Sequence, residues 1–516
     1  MDLLNTYDEF FASNLQPVLH QQFKNTSLSL TSIYIDSTSA FITAVLPMLR
    51  KKVFSLLPQL AQQSQLLSHL IHELMSFDTS LRDDWAYDGG NSTSGWKGLT
   101  WDVLVGKNWF PQWLSVEKEF ALSRYQTIVE ASDAFEIDRD SDSSVSTKPT
   151  FAAIRVNDLL EAVTDRYRPL QDFSQKIQFL VDVQIAIFDM FHSRLRDSLS
   201  AYQSLTSSIG RNLQGVSRET QSEMQGIEGL ERLCRIYGSA EYLERKMRDW
   251  SDDVFFIELW DELQYRVKRN PGERNLAGAM TKEHIAERTS DTMGSDEDTG
   301  ALFDETGNAY RRLRTKTEDV IQDRLISSLR ERLRPYGRIN PWSSLSSTDS
   351  SSFLVLTAEL DGAVQFLSEN LSFLYGVLSQ ISLRRIGRQI MLAVQTYLWD
   401  SVLMRYAFSA AGVAQFRRDT EVIWATTNRW LGEGQGEQGM RRLREGLTLI
   451  DLPMTRQGGI EEENEHGDVP VFWDVEKRIF ESNESARVVL EELGIEVLSA
   501  GEARDVLNRR VELRSA

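Results

Sequence analysis

The feature that most constrains the fold is a long apolar run with helical spacing between residues 177 and 202. Its members recur in steps of three and four, which gives one wide apolar stripe on an α-helix. They are Ile177, Leu180, Val181, Gln184, Phe188, Phe191, Leu195, Leu199 and Tyr202. Val183, Ile185 and Ile187 extend the apolar surface to nearly the whole circumference. A helix that is apolar all round must be buried, so we expect it inside a helical bundle.

Two further runs have the same helical spacing. The first comprises Leu383, Ile386, Ile390, Val394, Tyr397 and Met404. The second comprises Ile321, Leu325, Leu329 and Leu333, and it is edged by Arg324, Arg330, Arg332 and Arg334. Only 11 prolines occur in 516 residues, and no convincing series of alternating strands is present. The sequence therefore predicts an all-α fold.

Five polar or glycine-rich segments have the composition of linkers: 138–146, 289–307, 341–352, 432–439 and 457–468. None is expected to bury enough apolar surface to offset the entropy cost of ordering it. These segments predict three domains. They are a helical bundle at 1–137, a central bundle at 147–340 with a flexible acidic insert near 289–307, and a C-terminal bundle at 353–516 with disordered segments near 432–468.

The charge balance limits the classes of partner. The chain has 57 basic and 76 acidic residues, a net charge of −19. Such a surface repels phosphates, so we expect no nucleic-acid partner and no binding to a bare anionic membrane. The one cysteine, Cys234, excludes a disulfide framework and a cysteine-based zinc cluster, which fits a reducing compartment.

The sequence contains no targeting segment that we can identify and no stretch long enough to span a bilayer. The longest apolar stretches, 179–191 and 389–398, are both shorter than the roughly 20 residues that a membrane helix needs. We therefore expect a soluble protein without direct membrane insertion, whose membrane contact is peripheral.

Short motifs give little support for catalysis. Gly434-x-Gly436-x-x-Gly439 has the spacing of a dinucleotide-binding loop, but the preceding residues favour helix, so we interpret it as a flexible linker. His69, His72 and Glu73 could share a helix face, yet HLIHE matches neither zinc-hydrolase pattern. A metal-dependent hydrolase is kept as an alternative. Ser115-x-x-Lys118 lacks the companion motifs of β-lactamases. We predict no catalytic residue, no metal ligand and no cofactor.

Three clusters of side chains have a structural and a functional interpretation. The carboxylates are Asp249, Asp252, Asp253, Glu258, Asp261 and Glu262, for which we favour a solvated or arginine-paired face over a metal site. The aromatic stripe of Trp250, Phe255, Phe256, Leu259, Trp260 and Leu263 predicts core packing, with a groove for a partner helix as the alternative. For Arg311, Arg312, Arg314 and Lys316 we favour a solvated face over a docking patch.

Several longer stretches closely resemble the RINT/TIP family, which comprises the Rad-fifty interactor of animals and its fungal counterparts. They are SHLIHELMSFD (68–78), GWKGLTW (95–101), ASDAFEID (131–138), TKPTFAAIRVNDLLEAVTDRYRPL (147–170), FSQKIQFLVDVQIAIFDMFHSRLRDSLSAY (173–202) and GLERLCRIYGSAEYLERKMRDWSDDVFFIELWDEL (229–263). The similarity runs from about residue 1 to about 430 and is densest at 131–263.

The resemblance implies both a fold and a role. Family members are elongated rods of consecutive helical bundles, similar to the CATCHR-type subunits of other tethers. They belong to the Dsl complex of yeast, called NRZ in animals. That complex lies on the cytoplasmic face of the endoplasmic reticulum, binds its SNARE proteins and captures COPI vesicles that return from the Golgi. The resemblance thus implies a non-catalytic tether whose partners are ER SNAREs, other tether subunits and, indirectly, COPI vesicles.

Family members usually have a longer N-terminal region, a coiled-coil-like arm that joins the neighbouring subunit. The matching portion here starts near the middle of the rod, which leaves two interpretations: the sequence is truncated, or the protein has lost the arm. The resemblance then implies the SNARE-facing function and leaves the complex-joining function open. An exocytic or endosomal helical-rod tether is the alternative within the same architectural class.

Overall fold

The computed structural model describes residues 2–90, 95–140, 146–206, 226–269, 274–294, 300–345, 355–454 and 471–514. Nearly all of the regular structure in these ranges is helical, so the all-α prediction is confirmed. The one β-hairpin within the described residues pairs Asn275–Ala277 with Met280–Thr281 in antiparallel register. The chain forms two compact units, which comprise 1–136, 150–198 and 239–312, and 137–149, 199–238 and 313–516. The three predicted domains remain a prediction.

Eleven α-helices of the described residues lie wholly within the first unit, in its three chain segments. They are Asp2–Phe10, Gln16–Phe23, Ser32–Ile35, Ser37–Leu60, Ser64–Asp83, Leu99–Trp101, Phe110–Glu130, Phe151–Tyr167, Phe173–Phe179, Val254–Arg269 and Lys282–Arg288. Wider π-helical turns occur at Phe11–Leu15, Asp102–Gly106 and Leu180–Ile185, and Ser27–Leu30 is a 3-10 turn.

Among the described residues, the second unit wholly contains three helices of about 20 residues, followed by five shorter helices near the C-terminus. They are Ala358–Val377, Gln380–Leu398, Ala410–Leu431, Gln435–Gly439, Arg441–Ile450, Phe472–Glu481, Asn483–Glu492 and Ala500–Leu507, with a π-helical turn at Trp399–Leu403 and 3-10 turns at Tyr336–Arg338 and Val511–Arg514. Residues of three helices are divided between the two units: Ala186–Thr206, Ile227–Ser251 and Asp304–Leu333.

Polar side chains fix where many of these helices begin. Asp36 accepts hydrogen bonds from the backbone N–H groups of Thr38 and Ser39 at 3.4 and 2.7 Å, at the start of Ser37–Leu60. Ser499 and Glu502 form a capping box at the last helix of the second unit. Each cap satisfies amide donors that the first helical turn leaves without a partner, which stabilises the helix by about 1 kcal/mol.

The apolar run that predicted a buried helix contributes residues 177–198 to the core of the first unit, while Leu199 and Tyr202 are buried in the second. Ile187, Phe188 and Phe191 have no exposed surface. The whole run is helical, and a wider π-helical turn at Leu180–Ile185 separates its two α-helical parts. Gln184, the polar member of the run, is fully buried and donates to the hydroxyl of Thr164 at 3.1 Å, while it accepts from Tyr167. This pairing removes the cost of burying its amide.

The linker prediction is wrong for Gly432–Gly439, because Gln435–Gly439 is a short helix that is packed in the second unit. A Cβ on Gly436 would lie 2.9 Å from Cα of Trp424, and one on Gly439 would lie 2.6 Å from Cβ of Met391. The glycines therefore allow close helix packing rather than flexibility. Residues 455–470, which the disorder prediction also covers, lie outside the described residues.

The flexible-insert prediction for 289–307 is also wrong at both ends of that segment. Thr289 and Ser290 are fully buried, and Leu302 and Phe303 lie in the core of the first unit. The N–H of Glu305 donates to the carbonyl of Thr289 at 2.9 Å, which closes the segment as a loop. Residues 295–299 lie outside the described ranges. Trp342, in the predicted linker 341–352, is likewise fully buried.

Candidate interaction surface

The structure places the two histidines of the hydrolase alternative on the surface of helix Ser64–Asp83. The side chains of His69 and Glu73 are 69% and 62% exposed, and Nδ1 of His69 lies 3.8 Å from a carboxylate oxygen of Glu73. Among the residues that the structure describes, no group of three or more His, Cys, Asp or Glu side chains is arranged to hold a metal ion. The two histidines are therefore not brought together with further metal ligands.

The other short motifs lack the structural context that their chemistry needs. Gly434, with φ of 74°, begins the short helix of the glycine motif. The motif follows the helix Ala410–Leu431, whereas a dinucleotide-binding loop follows a strand. Ser115 is exposed and lies on the outside of helix Phe110–Glu130.

The carboxylate cluster is partly paired with arginines, as the favoured interpretation predicted. Asp253 accepts two hydrogen bonds from Arg168, both of 3.2 Å, and the pKa of Asp253 is lowered chiefly by these bonds. Glu262 pairs with Arg266 at 2.6 Å. Of the basic cluster, Arg311 pairs with the buried Glu244 at 3.0 Å. Arg311 and Glu244 link the helices Asp304–Leu333 and Ile227–Ser251, whereas Arg266 and Glu262 lie one turn apart on the same helix. Among the described residues, the carboxylates of the cluster are not part of a group arranged to hold a metal ion.

The aromatic stripe is mostly in the core, so the structural interpretation is confirmed. Phe255, Phe256, Leu259, Trp260 and Leu263 are all at most 8% exposed. The stripe does not lie on one continuous helix, because Ile227–Ser251 ends and Val254–Arg269 begins within it. The carboxylate of Asp253 caps the second helix by accepting from the N–H of Phe255 at 2.8 Å. Trp250 packs on Phe256 with ring centroids 6.0 Å apart.

The outer edge of this helix forms one wall of an open groove in the first unit, and the GWKGLTW segment forms the other. The segment is held by Asp78, a fully buried carboxylate that accepts from the N–H groups of Leu99 and Thr100 at 2.9 and 2.8 Å. Gly98 has φ of 95°, and a Cβ there would lie 2.3 Å from that carboxylate. Glycine is therefore required, and the turn presents Trp96 and Lys97 at the groove.

The groove has a volume of about 550 Å³ and is lined by alternating aromatic and charged side chains. Three cations lie over aromatic rings: Lys97 is 4.6 Å from the ring of Trp101, Lys176 is 5.1 Å from that of Phe255, and Arg266 is 4.3 Å from that of Phe173. A second open pocket of about 430 Å³ lies on the other side of Trp96 and Trp101.

Burial affects the ionisation of one groove cation, Lys176. Lys176 is half-buried, and desolvation lowers its pKa, an effect that the nearby carboxylate of Glu258 opposes. Asp78 below the groove has a raised pKa, chiefly because burial disfavours its charged form.

Aromatic rings and arginines, both present in the groove, are the side chains that most often dominate the energy of protein interfaces. The arrangement is suited to binding a polypeptide.

Sequence reasoning identified both walls of the groove separately but not the groove itself. The segment GWKGLTW and the stripe at 250–263 were recognised by resemblance and by spacing. The turn that carries Trp96 and Lys97 depends on Asp78, which lies about 20 residues before Gly98 at the end of another stretch that resembles the family, SHLIHELMSFD. The resemblance marks these stretches separately, and their spacing along the sequence does not show that they meet.

Within the described ranges, none of the helices is long and apolar enough to cross a bilayer.

The all-helical fold and a surface of this composition define a helical protein whose candidate site suits another polypeptide. The chain belongs to the RINT-1/TIP-1 family, whose model matches residues 1–510. The recognition of this family from the sequence is thereby confirmed.

The curated relatives of this chain come from distant eukaryotes. Protein transport protein tip20 of Schizosaccharomyces pombe is 24% identical over 365 residues, which cover 69% of this chain and 47% of that protein. A RINT1-like protein of Drosophila melanogaster is 23% identical, covering 73% and 44%. The RINT1-like protein MAG2 of Arabidopsis thaliana is 21% identical, covering 67% and 39%. The chain thus spans half or less of the length of these relatives.

A solved structure shares the fold. The chain is similar to Tip20 in the crystal structure of the SNARE Sec20 bound to the Dsl1 complex subunit Tip20, with a TM-score of 0.65. The similarity covers 98% of this chain and 75% of the other, at 19% sequence identity. At this identity the likeness establishes the helical fold.

Proposed function

We propose that this chain is a non-catalytic subunit of a Dsl1-type tethering complex at the cytoplasmic face of the endoplasmic reticulum. It acts in COPI-dependent transport from the Golgi to the endoplasmic reticulum, where it binds ER SNAREs and the other tether subunits. The observation that carries the proposal is the family match over residues 1–510. The likeness to Tip20, which was crystallised with the SNARE Sec20, supports the choice of partner.

The proposed mechanism is a geometric one. A tether subunit holds a SNARE and its neighbouring subunits in register, so that vesicle and target membrane approach each other. We infer that the groove between the GWKGLTW segment and helix Val254–Arg269 binds the N-terminal helical domain of an ER SNARE. Its aromatic rings supply apolar contact area, while its cations and carboxylates fix the orientation of a charged helix.

The first experiment measures binding of the full chain to the N-terminal domain of an ER SNARE by calorimetry. The variant Trp96→Ala removes an aromatic ring from the groove, and we expect it to weaken binding by roughly tenfold or more, as hot-spot truncations do. The matched control is Phe120→Ala. Phe120 is a 62% exposed aromatic residue of the same unit, outside the groove. We expect that control to bind within about twofold of the parent.

Two results separate the groove from the overall function. If the parent chain binds the SNARE domain and Trp96→Ala binds equally well, the groove is not the contact and the tethering function stands. If the parent chain binds no ER SNARE domain, and cells that lack it still retrieve ER residents, the tethering proposal fails. Localisation at the plasma membrane or endosomes would favour the alternative, an exocytic or endosomal helical-rod tether.

A further inference from the structure

Four exposed arginines lie near the C-terminal end of helix Asp304–Leu333, in the part of that helix that belongs to the second unit. Arg330 lies in the last turn of Asp304–Leu333, Arg334 directly follows that helix, Arg338 ends the turn Tyr336–Arg338, and Arg405 follows the π-helical turn Trp399–Leu403. We call Arg330, Arg334, Arg338 and Arg405 the arginine cluster. Arg330 and Arg334 edge the apolar run from Ile321 to Leu333, and the proposed function involves neither of them.

Two tyrosines bring these chain segments together around Gly337. A Cβ on Gly337 would lie 2.5 Å from the hydroxyl oxygen of Tyr397, so the phenol packs directly on that backbone. The hydroxyl of Tyr406 donates to the carbonyl of Gly337 at 2.9 Å. Arg338 follows Gly337, and Arg405 lies with its guanidinium 5.4 Å from the ring of Tyr406. The turn Tyr336–Arg338 and the segment that carries Arg405 are thus held together by these two tyrosine contacts.

The electrostatics at Tyr397 agree with this geometry. Burial raises the pKa of Tyr397, and the positive charges of Arg334, Arg338 and Arg405 each act to lower that pKa. Three arginines from two separate chain segments therefore lie near enough to the same hydroxyl for their charges to act on it.

The ordinary structural explanations do not account for the whole cluster. Within the described part of the chain, none of the four arginines forms an ion pair, and the neighbouring acids Glu331 and Asp400 do not pair with them. Other arginines of this unit are paired, such as Arg385 with Glu318 at 2.5 Å. The two helix C-termini here supply about half a negative charge each, which four full positive charges exceed.

The spacing of the arginines indicates what would bind. Arg330 lies in the last turn of Asp304–Leu333 and Arg334 directly follows it, so the two positions are about 6 Å apart along the axis at 1.5 Å per residue. Alternate side chains of an extended peptide are separated by about 6.8 Å on one face. Guanidinium forks match carboxylates with two parallel hydrogen bonds. An extended segment with an acidic residue at every second position therefore fits the cluster.

The charge of the whole molecule favours a short segment over an extended anionic surface. The chain carries a net charge of −19, which opposes the approach of a membrane or a nucleic acid. A single short strand contacts few side chains beyond the four arginines, whereas a membrane or a nucleic acid also meets the acidic surface around them. We propose that the arginine cluster is a docking site for an acidic, extended polypeptide segment of a partner protein. This proposal stands independently of the tethering function.

The experiment uses the full chain and a fluorescein-labelled octapeptide of alternating glutamate and glycine, with fluorescence anisotropy as the readout. We expect binding that weakens between 50 and 300 mM salt and an octapeptide of alternating glutamine and glycine that does not bind. The double variant Arg334→Glu and Arg338→Glu should lower the affinity by about tenfold or more, because it reverses two contacting charges. The milder double variant Arg334→Gln and Arg338→Gln should lower it less.

A matched control makes the same change of net charge elsewhere on the second unit. Arg429→Glu combined with Arg487→Glu alters two exposed arginines outside ion pairs in the described residues, and this control should bind within about twofold of the parent. Equal loss in both double variants would overturn the proposal, since net charge alone would then explain binding. Preferential binding to phosphatidylserine vesicles or to single-stranded RNA, abolished by the same cluster variants, would overturn it in favour of a different class of partner.

Discussion

Gly238 lies in the middle of helix Ile227–Ser251, where its substitution gives a sharp test of the packing. From the sequence alone, Gly238→Ala should stabilise the protein by about 1 kcal/mol, since glycine is a poor helix residue. The structure predicts the opposite sign. A Cβ at this position would lie 2.2 Å from the carbonyl oxygen of Lys148. An ordinary contact between carbon and oxygen is about 3.3 Å, so roughly 1 Å of separation must be created.

The neighbouring chain cannot easily supply that space. The atom in the way belongs to the backbone, and the N–H of Lys148 donates to the carbonyl of Val377 at 2.9 Å. The hydroxyl of the preceding Thr147 accepts from the N–H of Ser379 at 3.1 Å. Overpacking of this kind costs about 1–3 kcal/mol or more. We take the upper part of that range because the overlap is with the backbone, and expect net destabilisation of about 1–2 kcal/mol after the gain in helix propensity.

Gly362 provides the matched control. It lies in helix Ala358–Val377 of the same unit, is exposed, and has nothing within 4 Å of the position of a Cβ. Gly362→Ala should therefore stabilise the unit by about 1 kcal/mol. Urea unfolding followed by far-UV circular dichroism measures both variants in the same transition, which matters because two units can unfold separately. If Gly238→Ala proves at least as stable as the parent, the packing of Lys148 on this helix is wrong.

Three further outcomes follow from the same structure. Trp260→Ala should lower the free energy of unfolding by about 3–5 kcal/mol, because the side chain is only 8% exposed; urea titration measures this, and a loss below about 1 kcal/mol would contradict the core position. The one thiol of the chain, Cys234, should resist iodoacetamide at pH 8 in the native state and react once unfolded, because burial raises its pKa to about 12; rapid native labelling would be inconsistent with that burial. The thiol ionises near pH 8.5 when the chain is unfolded, so its contribution to stability is present below that pH and is lost as the pH rises towards 12. Urea unfolding of the parent and of Cys234→Ala at pH 8 and 10.5 should show a larger fall in the free energy of unfolding for the parent. Equal falls would argue against the raised pKa.

The helical architecture was predictable because its signal is local. The run from Ile177 to Tyr202 follows helical spacing over many turns, and burial of one face requires no knowledge of distant residues. The linker prediction for Gly432–Gly439 failed because glycine has two opposite uses. Composition alone cannot distinguish a flexible chain from a helix that packs closely on Trp424 and Met391.

The two candidate surfaces could be predicted only in part. Trp96, Lys97 and Asp78 all lie in stretches that resemble the family, but the sequence does not show that the buried carboxylate of Asp78 holds the turn of Trp96 and Lys97. Arg330 and Arg334 were noted beside an apolar stripe, whereas Arg405 adjoins Tyr406, whose hydroxyl donates to the carbonyl of Gly337, 69 residues earlier in the sequence. Such long-range contacts are fixed by tertiary packing, which single-sequence spacing does not record.

Affinity purification of the tagged chain from its native cells, with identification of the proteins that accompany it, is the decisive test of the tethering function. We expect recovery of ER SNAREs together with other subunits of a Dsl1-type complex. Recovery of neither class of protein, from a preparation in which the chain is folded and abundant, would contradict the tethering function and leave the family relationship as a statement about the fold.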